Sequence, residues 1–276
     1  MPGLLSFHAH PDDESITMGG TLAELADRAV PITVVTATRG EAGEIHNRED
    51  ADNVRHRLGE IREAEQRAAL EVLGVSDLRY LDYRDSGMMG TDHNDVVESF
   101  WSADFMEATG RLVRIIREVR PEVLTAYDPF GGYGHPDHIQ VHRVGTAAFF
   151  GAADNGRYPR AEFGEPWRIE SLLWASWSRE RAAGVRRAMR GEDGVTIEDE
   201  DVPTGFPSTF LSVRRDVRPL LERKRRALLC HDTQFASESW IRALSDDEIS
   251  VFLGEEVFIR VWGDPGVVDP IGALYS

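Results

Sequence analysis

The chain has 276 residues, 41% hydrophobic and 29% charged, which is an ordinary soluble composition for one α/β domain or a domain with an appendage. Its 48 acidic against 31 basic residues leave a net charge of -17, so neither a nucleic-acid nor an anionic-membrane partner is expected, although a local basic pocket stays open. The single cysteine, Cys230, excludes an internal disulfide and a cysteine-based zinc cluster, and no apolar run reaches the roughly 18 residues of a helical membrane span.

The opening segment starts apolar, turns acidic by Asp12 and lacks the cationic start and cleavage site of a signal peptide, so the cytoplasm is the expected location. Leu4 to His8 reads as a short strand, followed by a polar turn from His10 to Glu14. Thr21 to Ala29 places Leu22, Leu25, Ala26 and Ala29 at helical spacing. Pro31 to Thr36 is a β-branched run and reads as a buried strand. Arg57 to Leu73 predicts a long helix with Leu58, Ile61, Ala64 and Ala68 on one face and Gly74 as its stop. Leu78 to Leu81 is a third strand, Phe105 to Val119 an amphipathic helix, and Glu122 to Tyr127 a fourth strand. This alternation argues for a mostly parallel sheet with helices on both faces. Further on, Leu172 to Trp177, Phe210 to Val213 and Glu256 to Trp262 read as strands and Asp216 to Cys230 as a helix. Met189 to Pro207, rich in Gly, Asp, Glu and Pro, reads as a surface excursion. No repeat or linker divides the chain. It reads as one domain, with an α/β core over residues 1–150 and a smaller C-terminal α+β portion over 151–276 that shapes the pocket.

Two polar clusters carry the chemistry. His8-Ala9-His10-Pro11-Asp12-Asp13-Glu14 follows the first strand, and Gly131-Gly132-Tyr133-Gly134-His135-Pro136-Asp137-His138 follows the fourth. Ligands of open α/β sheets bind beyond the carboxyl ends of the strands, where strand order reverses. There, His10, Asp13 and His138 can hold a catalytic zinc ion and leave a position for water. Pro11 and Pro136 stiffen the two turns. Asp12 can take a proton from the water. His135 can stabilise an oxyanion or protonate a leaving amine. The plainer alternative is that Asp12 or Asp13 merely caps the following helix; two such turns at strand exits speak against it. His142 is either a fourth ligand or a polar residue behind the site. His46, His56, His93 and His231 read as surface or hydrogen-bonded residues.

The pair His10-Pro11-Asp12-Asp13-Glu14 and His135-Pro136-Asp137-His138 resembles the LmbE-like (PIG-L) metal-dependent N-deacetylases over roughly the first 150 residues. Arg84-Asp85-Ser86-Gly87-Met88, and Tyr127-Asp128-Pro129 through Gly132-Tyr133-Gly134-His135, look most like the mycothiol-pathway branch of that family. The resemblance implies a Rossmann-like fold and one zinc ion per chain, held by His10, Asp13 and His138, with ferrous iron or another divalent ion also accepted by such a site. It implies Asp12 as general base, His135 as electrophile or acid, Asp137 orienting and charging His135, and Tyr133 at the mouth facing the oxyanion. Arg62 matches a substrate-gripping position and Asp85 a sugar-binding acid. The implied reaction is removal of acetyl from an N-acetylglucosaminyl-inositol-like amino sugar. Cleavage of a mycothiol S-conjugate, deacetylation of an antibiotic sugar and a non-catalytic sugar-binding module are the alternatives. Ser15-Ile16-Thr17-Met18-Gly19-Gly20 follows the general family more than this branch, and the C-terminal portion follows neither closely. His231-Asp232-Thr233-Gln234 is similar to a family segment without an assigned role. A homo-oligomer is left open.

Overall fold

The computed structural model describes residues 3–47, 51–179, 181, 205–235, 242 and 245–276. Strands β1 (Leu4–His8), β2 (Ile32–Thr38), β3 (Asp77–Tyr83), β4 (Val123–Tyr127), β5 (Ser171–Ser176), β6 (Val213–Asp216) and β7 (Glu255–Trp262) form one sheet in the order β3-β2-β1-β4-β5-β7-β6. β1 to β5 pair in parallel, and β7 runs antiparallel between β5 and β6. β1 and β4 are buried along their whole length, as near-continuous apolar strands of a parallel sheet should be.

The chain moves outward from β1 through β2 to β3, crosses back to β4, and then moves the other way. Strand order therefore reverses between β1 and β4, and the two polar clusters leave these neighbouring strands. The helices pack in two groups: α1 (Asp13–Asp27) with α2 (Leu58–Leu73) and α5 (Leu221–Leu228), and α3 (Phe105–Val119) with α4 (Pro136–Gly151). Right-handed crossovers in opposite directions put the groups on opposite faces.

Local chemistry sets the helix ends. α2 stops where Gly74 takes a left-handed φ of 84°. Asp104 caps α3 by accepting from the Met106 and Glu107 N–H groups. α4 begins with Pro136 at its first position and His135 as its cap.

Three expectations shift. The first helix starts at Asp13 rather than Thr21, because the polar turn feeds into it directly. A strand forms at Val213–Asp216 rather than 210–213, where alternate burial of Val213 and Arg215 matches the pairing with β7. The helix expected from Asp216 to Cys230 spans Leu221–Leu228, since Pro219 sits in a preceding 3₁₀ turn. A further helix, α6 (Asp246–Leu253), starts with a capping box of Ser245 and Glu248. Most of the expected excursion, through residue 204, lies outside the described residues.

Buried charge ties the C-terminal portion to the core. Lys224 Nζ donates to Glu256 Oε1 at 2.6 Å, and Glu256 also accepts from the Gly20 and Thr21 N–H groups of α1 at 2.8 Å each. Arg117 donates only to main-chain carbonyls, those of Gly151, Ala152, Asp154, Tyr158 and Gly164, which pins the loop after α4. No helix among the described residues is long and apolar enough to cross a membrane.

Candidate metal and catalytic site

His10, Asp13 and His138 converge although they come from two separate turns. Asp13 Oδ2 lies 3.6 Å from His10 Nδ1 and 3.4 Å from His138 Nε2. All three residues are buried. The protein also fixes both imidazole tautomers. His138 Nδ1 sits 3.1 Å from the Gly131 carbonyl, an acceptor only, so Nδ1 carries the hydrogen and Nε2 presents a lone pair. Burial lowers the His138 pKa to about 4 despite the pull of Asp13, so the ring is neutral at pH 7. His10 Nε2 lies 3.1 Å from Asp137 Oδ2 and 3.5 Å from Asp85 Oδ1, so it donates there and turns Nδ1 toward Asp13.

Two nitrogen lone pairs and a carboxylate oxygen therefore face one another. They repel unless positive charge lies between them. Donors of a tetrahedral ion with bonds of about 2.0–2.1 Å stand roughly 3.3 Å apart, close to the separations seen. Burial works against charge on His10, yet Asp85, Asp137 and Asp13 raise its pKa well above the ordinary value, so a proton competes with a metal ion for its Nδ1 lone pair. The pocket favours a cation, and its donor set fits a divalent metal.

Asp12 stands at the N-cap position of α1, but its side chain caps nothing. The helix-cap alternative fails for this residue. Its φ is 110°, a left-handed conformation that costs a non-glycine residue about 1–3 kcal/mol. Neighbours impose it. Glu14 Oε2 accepts from the Asp12 N–H at 3.1 Å, while Arg62 Nη2 donates to the Pro11 carbonyl at 2.6 Å and to Asp12 Oδ2 at 3.1 Å. Burial raises the Asp12 pKa to about 6 against the opposing charge of Arg62, close to where a general base works best.

His135 begins the second half of the site. Its Nδ1 accepts from the Asp137 N–H at 3.1 Å, which leaves Nε2–H as its donor. Burial, with His10 and His138 beside it, lowers its pKa to about 2, so it works as a neutral imidazole. Its ring lies edge-on to His10, with centroids 4.6 Å apart. Tyr133 is half exposed, and its hydroxyl lies 3.4 Å from His138 Nε2.

The expected role of Asp137 needs correction. Its carboxylate meets His10 Nε2 and the Ser86 N–H and hydroxyl, and only its main-chain N–H touches His135. The helix turn aims its side chain back toward β1, where it meets His10 and Ser86. Arg62 and Asp85, expected on the sugar, are both buried. Arg62 Nη1 donates to the Gly40 carbonyl at 2.9 Å, and its other terminal nitrogen serves Pro11 and Asp12. Asp85 accepts from the Gly87 and Ala42 N–H groups at 2.8 and 3.2 Å, behind His10. His142 turns away, with Nδ1 on the Tyr127 carbonyl and its ring on Trp174.

Several supporting residues escape sequence reasoning. Glu14 accepts from Asp12, Ser15, Gln66 and His231, all at 3.1 Å or less. Gln66 lies four residues after Arg62, so both face the turn from α2; that spacing was a readable signal. The Tyr127 ring lies tilted against His138 with centroids 4.9 Å apart, and His8 Nδ1 lies 2.9 Å from its hydroxyl. Ser86 and Tyr127 lie in segments that carry the family resemblance, but nothing in those segments assigns either residue a role.

The profile of the family described as GlcNAc-PI de-N-acetylase (PIG-L) matches residues 5–149, which hold both turns. The chain belongs to this family. It is similar to a 1D-myo-inositol 2-acetamido-2-deoxy-alpha-D-glucopyranoside deacetylase of Streptomyces avermitilis, with 41% identity over 95% of this chain and 93% of the relative. It is similar to the protein of the same description from Geodermatophilus obscurus, with 40% identity over 96% of this chain and 94% of the relative. Among solved structures it shares its fold with the N,N'-diacetylchitobiose deacetylase of Pyrococcus horikoshii, at a TM-score of 0.66 and 21% identity, covering 99% of this chain and 88% of the other. The conserved protein TT1542 of Thermus thermophilus gives a TM-score of 0.64 at 22% identity, covering 97% of this chain and 98% of the other. The two myo-inositol-linked deacetylases extend the sequence likeness well past residue 150, into the portion where motif resemblance thins.

Proposed function

We propose that the chain is a metal-dependent deacetylase that hydrolyses the acetamide of N-acetylglucosaminyl-inositol, releasing acetate and a free amine. The observation that carries this reading is the convergence of two imidazole nitrogens and the Asp13 carboxylate beside Asp12, whose strained turn is held by Arg62 and Glu14. The relatives' names supply the substrate class. His10, Asp13 and His138 would hold one divalent ion, zinc by ligand type, which polarises a carbonyl and acidifies water when bound.

The chain's own residues do the rest. Asp12 accepts a proton from the attacking water. His135 Nε2–H and the Tyr133 hydroxyl face the charge that develops on the carbonyl oxygen. The carbon–nitrogen bond then breaks, and Asp12 returns its proton to the departing amine nitrogen. Arg62 anchors Asp12 rather than the sugar, and Asp137 with Asp85 anchors His10. A neutral, hydroxyl-rich substrate suits a protein whose net charge of -17 repels polyanions.

The test is to follow acetate and free amine with three substrates: N-acetylglucosaminyl-inositol, N-acetylglucosamine and a mycothiol S-conjugate. The inositol-linked sugar is expected to give the highest kcat/KM, since its remote ring adds binding energy. A tenfold preference for the thiol conjugate would overturn the substrate assignment and leave the amide chemistry standing.

A further inference from the structure

His231-Asp232-Thr233-Gln234 lies 217 residues from Glu14 in sequence, yet His231 is buried against it. His231 Nε2 is 3.0 Å from Glu14 Oε1, and its Nδ1 has no hydrogen-bond partner. A carboxylate accepts, so Nε2 carries the hydrogen and donates. Glu14 uses its other oxygen, Oε2, for the Asp12 N–H at 3.1 Å and for Gln66 Nε2 at 2.9 Å. One carboxylate thus joins a C-terminal histidine to the main chain of the residue with φ of 110°.

The segment is fixed from several sides. Thr233 donates from its N–H and its hydroxyl to Glu65 of α2, at 2.8 and 2.7 Å. The Thr233 carbonyl accepts from the His46 N–H at 2.9 Å, and Gln234 Nε2 donates to the Glu44 carbonyl at 3.0 Å. The His231 backbone is held at 3.1 Å by the Leu228 carbonyl at the end of α5. Gln66 is braced in turn by the Tyr80 hydroxyl and by its own bond to Thr36. These ties leave Glu14 one way to lie, and a fixed Glu14 leaves the Asp12 N–H one direction to point.

We propose that His231 is a positioning residue for Asp12, acting through Glu14 to hold the left-handed turn that aims the base. The proposal rests on the reading of Asp12 as general base. Without the His231 donor, Glu14 Oε1 keeps only the Ser15 hydroxyl, and the carboxylate can rotate away from the Asp12 N–H. The turn then relaxes toward ordinary φ, and the base moves off its line to the water. Supporting residues of this kind change activity by about 10- to 100-fold.

The experiment uses the full-length, metal-loaded protein and the variants His231→Leu, His231→Gln, Asp12→Asn and the double variant His231→Leu/Asp12→Asn. His231→Leu is expected to lower kcat about 10- to 100-fold, with KM and metal content close to wild type. His231→Gln places an amide donor near the same point and is expected to recover most of the rate. In the Asp12→Asn background, His231→Leu is expected to cost little more, because two residues acting through one step are not additive. A crystal structure of His231→Leu supplies a readout independent of substrate: Asp12 is expected to leave its positive φ. Unchanged kcat in His231→Leu overturns the proposal, as does an equal loss in both backgrounds. A folded His231→Leu protein whose Asp12 keeps its conformation also overturns it. Wild-type protein that releases no acetate would sink the functional reading instead, and the crystal structure still decides the role of His231.

Discussion

The His10–Glu14 turn leaves β1 with one left-handed non-glycine residue, Asp12, held by side chains that arrive from α2 and from the C-terminal portion. The Gly131–His138 turn leaves the neighbouring β4 with three left-handed glycines, Gly131, Gly132 and Gly134, and the bonds that fold these glycines back are local, to Asp128, Phe130 and His138. In the first turn, distant residues impose a conformation that the local sequence resists. In the second, the local sequence adopts its conformation at little cost. In the proposed reading the first turn carries the base, Asp12, and the second carries a metal ligand, His138, whose needs are mainly distance and tautomer. The difference suggests where each turn is vulnerable: one to remote substitutions, the other to an added Cβ.

The largest expected effect tests what the turns share. His138→Ala and Asp13→Ala should each lose bound metal and activity together, because three protein donors leave none to spare. Metal content measured on the purified variants checks this, and a full complement in His138→Ala removes that residue from the donor set. Next, Asp12→Asn should keep its metal and lose a factor on the order of 10²–10⁴ in kcat, the usual scale for a general base. A near-wild-type rate would break the assignment, since an amide cannot take the proton.

A glycine pair sharpens the contrast within the second turn. A Cβ on Gly131 would meet His138 Cβ at 2.4 Å, whereas one on Gly132 meets nothing within 4 Å. Both glycines have positive φ, 63° and 78°, so both alanine variants carry a left-handed penalty of about 1–2 kcal/mol. Only Gly131→Ala should also weaken metal binding, by tenfold or more. Metal titration beside urea unfolding separates the two terms, and equal metal affinities in the two variants would show that His138 tolerates displacement.

The smallest expected effect concerns the first turn without metal. Burial works against ionised Glu14, but His231 outweighs it and lowers the Glu14 pKa to about 2 from an ordinary 4.5. A depressed carboxylate stabilises the fold above its unfolded value and loses that contribution as pH falls through the folded one. His231, raised above its ordinary 6.5 despite burial, contributes below that value and loses it as pH rises through its folded pKa. The stability gap between wild type and Glu14→Gln should therefore be widest between about pH 4.5 and 6.5 and narrow toward pH 2. Urea midpoints of the chelated proteins across pH 2–8 measure it; a gap that widens toward pH 2 would contradict the network.

Much of the fold is legible without coordinates. The helices Leu58–Leu73 and Phe105–Val119 follow apolar spacing to within a residue, and the strands β1 and β4 follow their apolar runs. These elements depend on periodicity and end signals, which are local. The C-terminal elements were harder to read because their form depends on partners. β6 takes its register from β7, and Pro219 breaks the periodic stretch that suggested one long helix.

The sequence by itself determined which residue types can meet at the switch point: two turns, each after a strand, carrying His10, Asp12, Asp13, His135 and His138. Only the tertiary structure decided what each side chain faces. Asp137 turned out to serve His10, Arg62 to serve Asp12, and His231 to close a buried network on Glu14. The reason is physical. Strand and helix signals act over a few residues, whereas a buried polar group takes whatever partner the packed chain brings within about 3 Å, and no spacing in the sequence encodes that meeting.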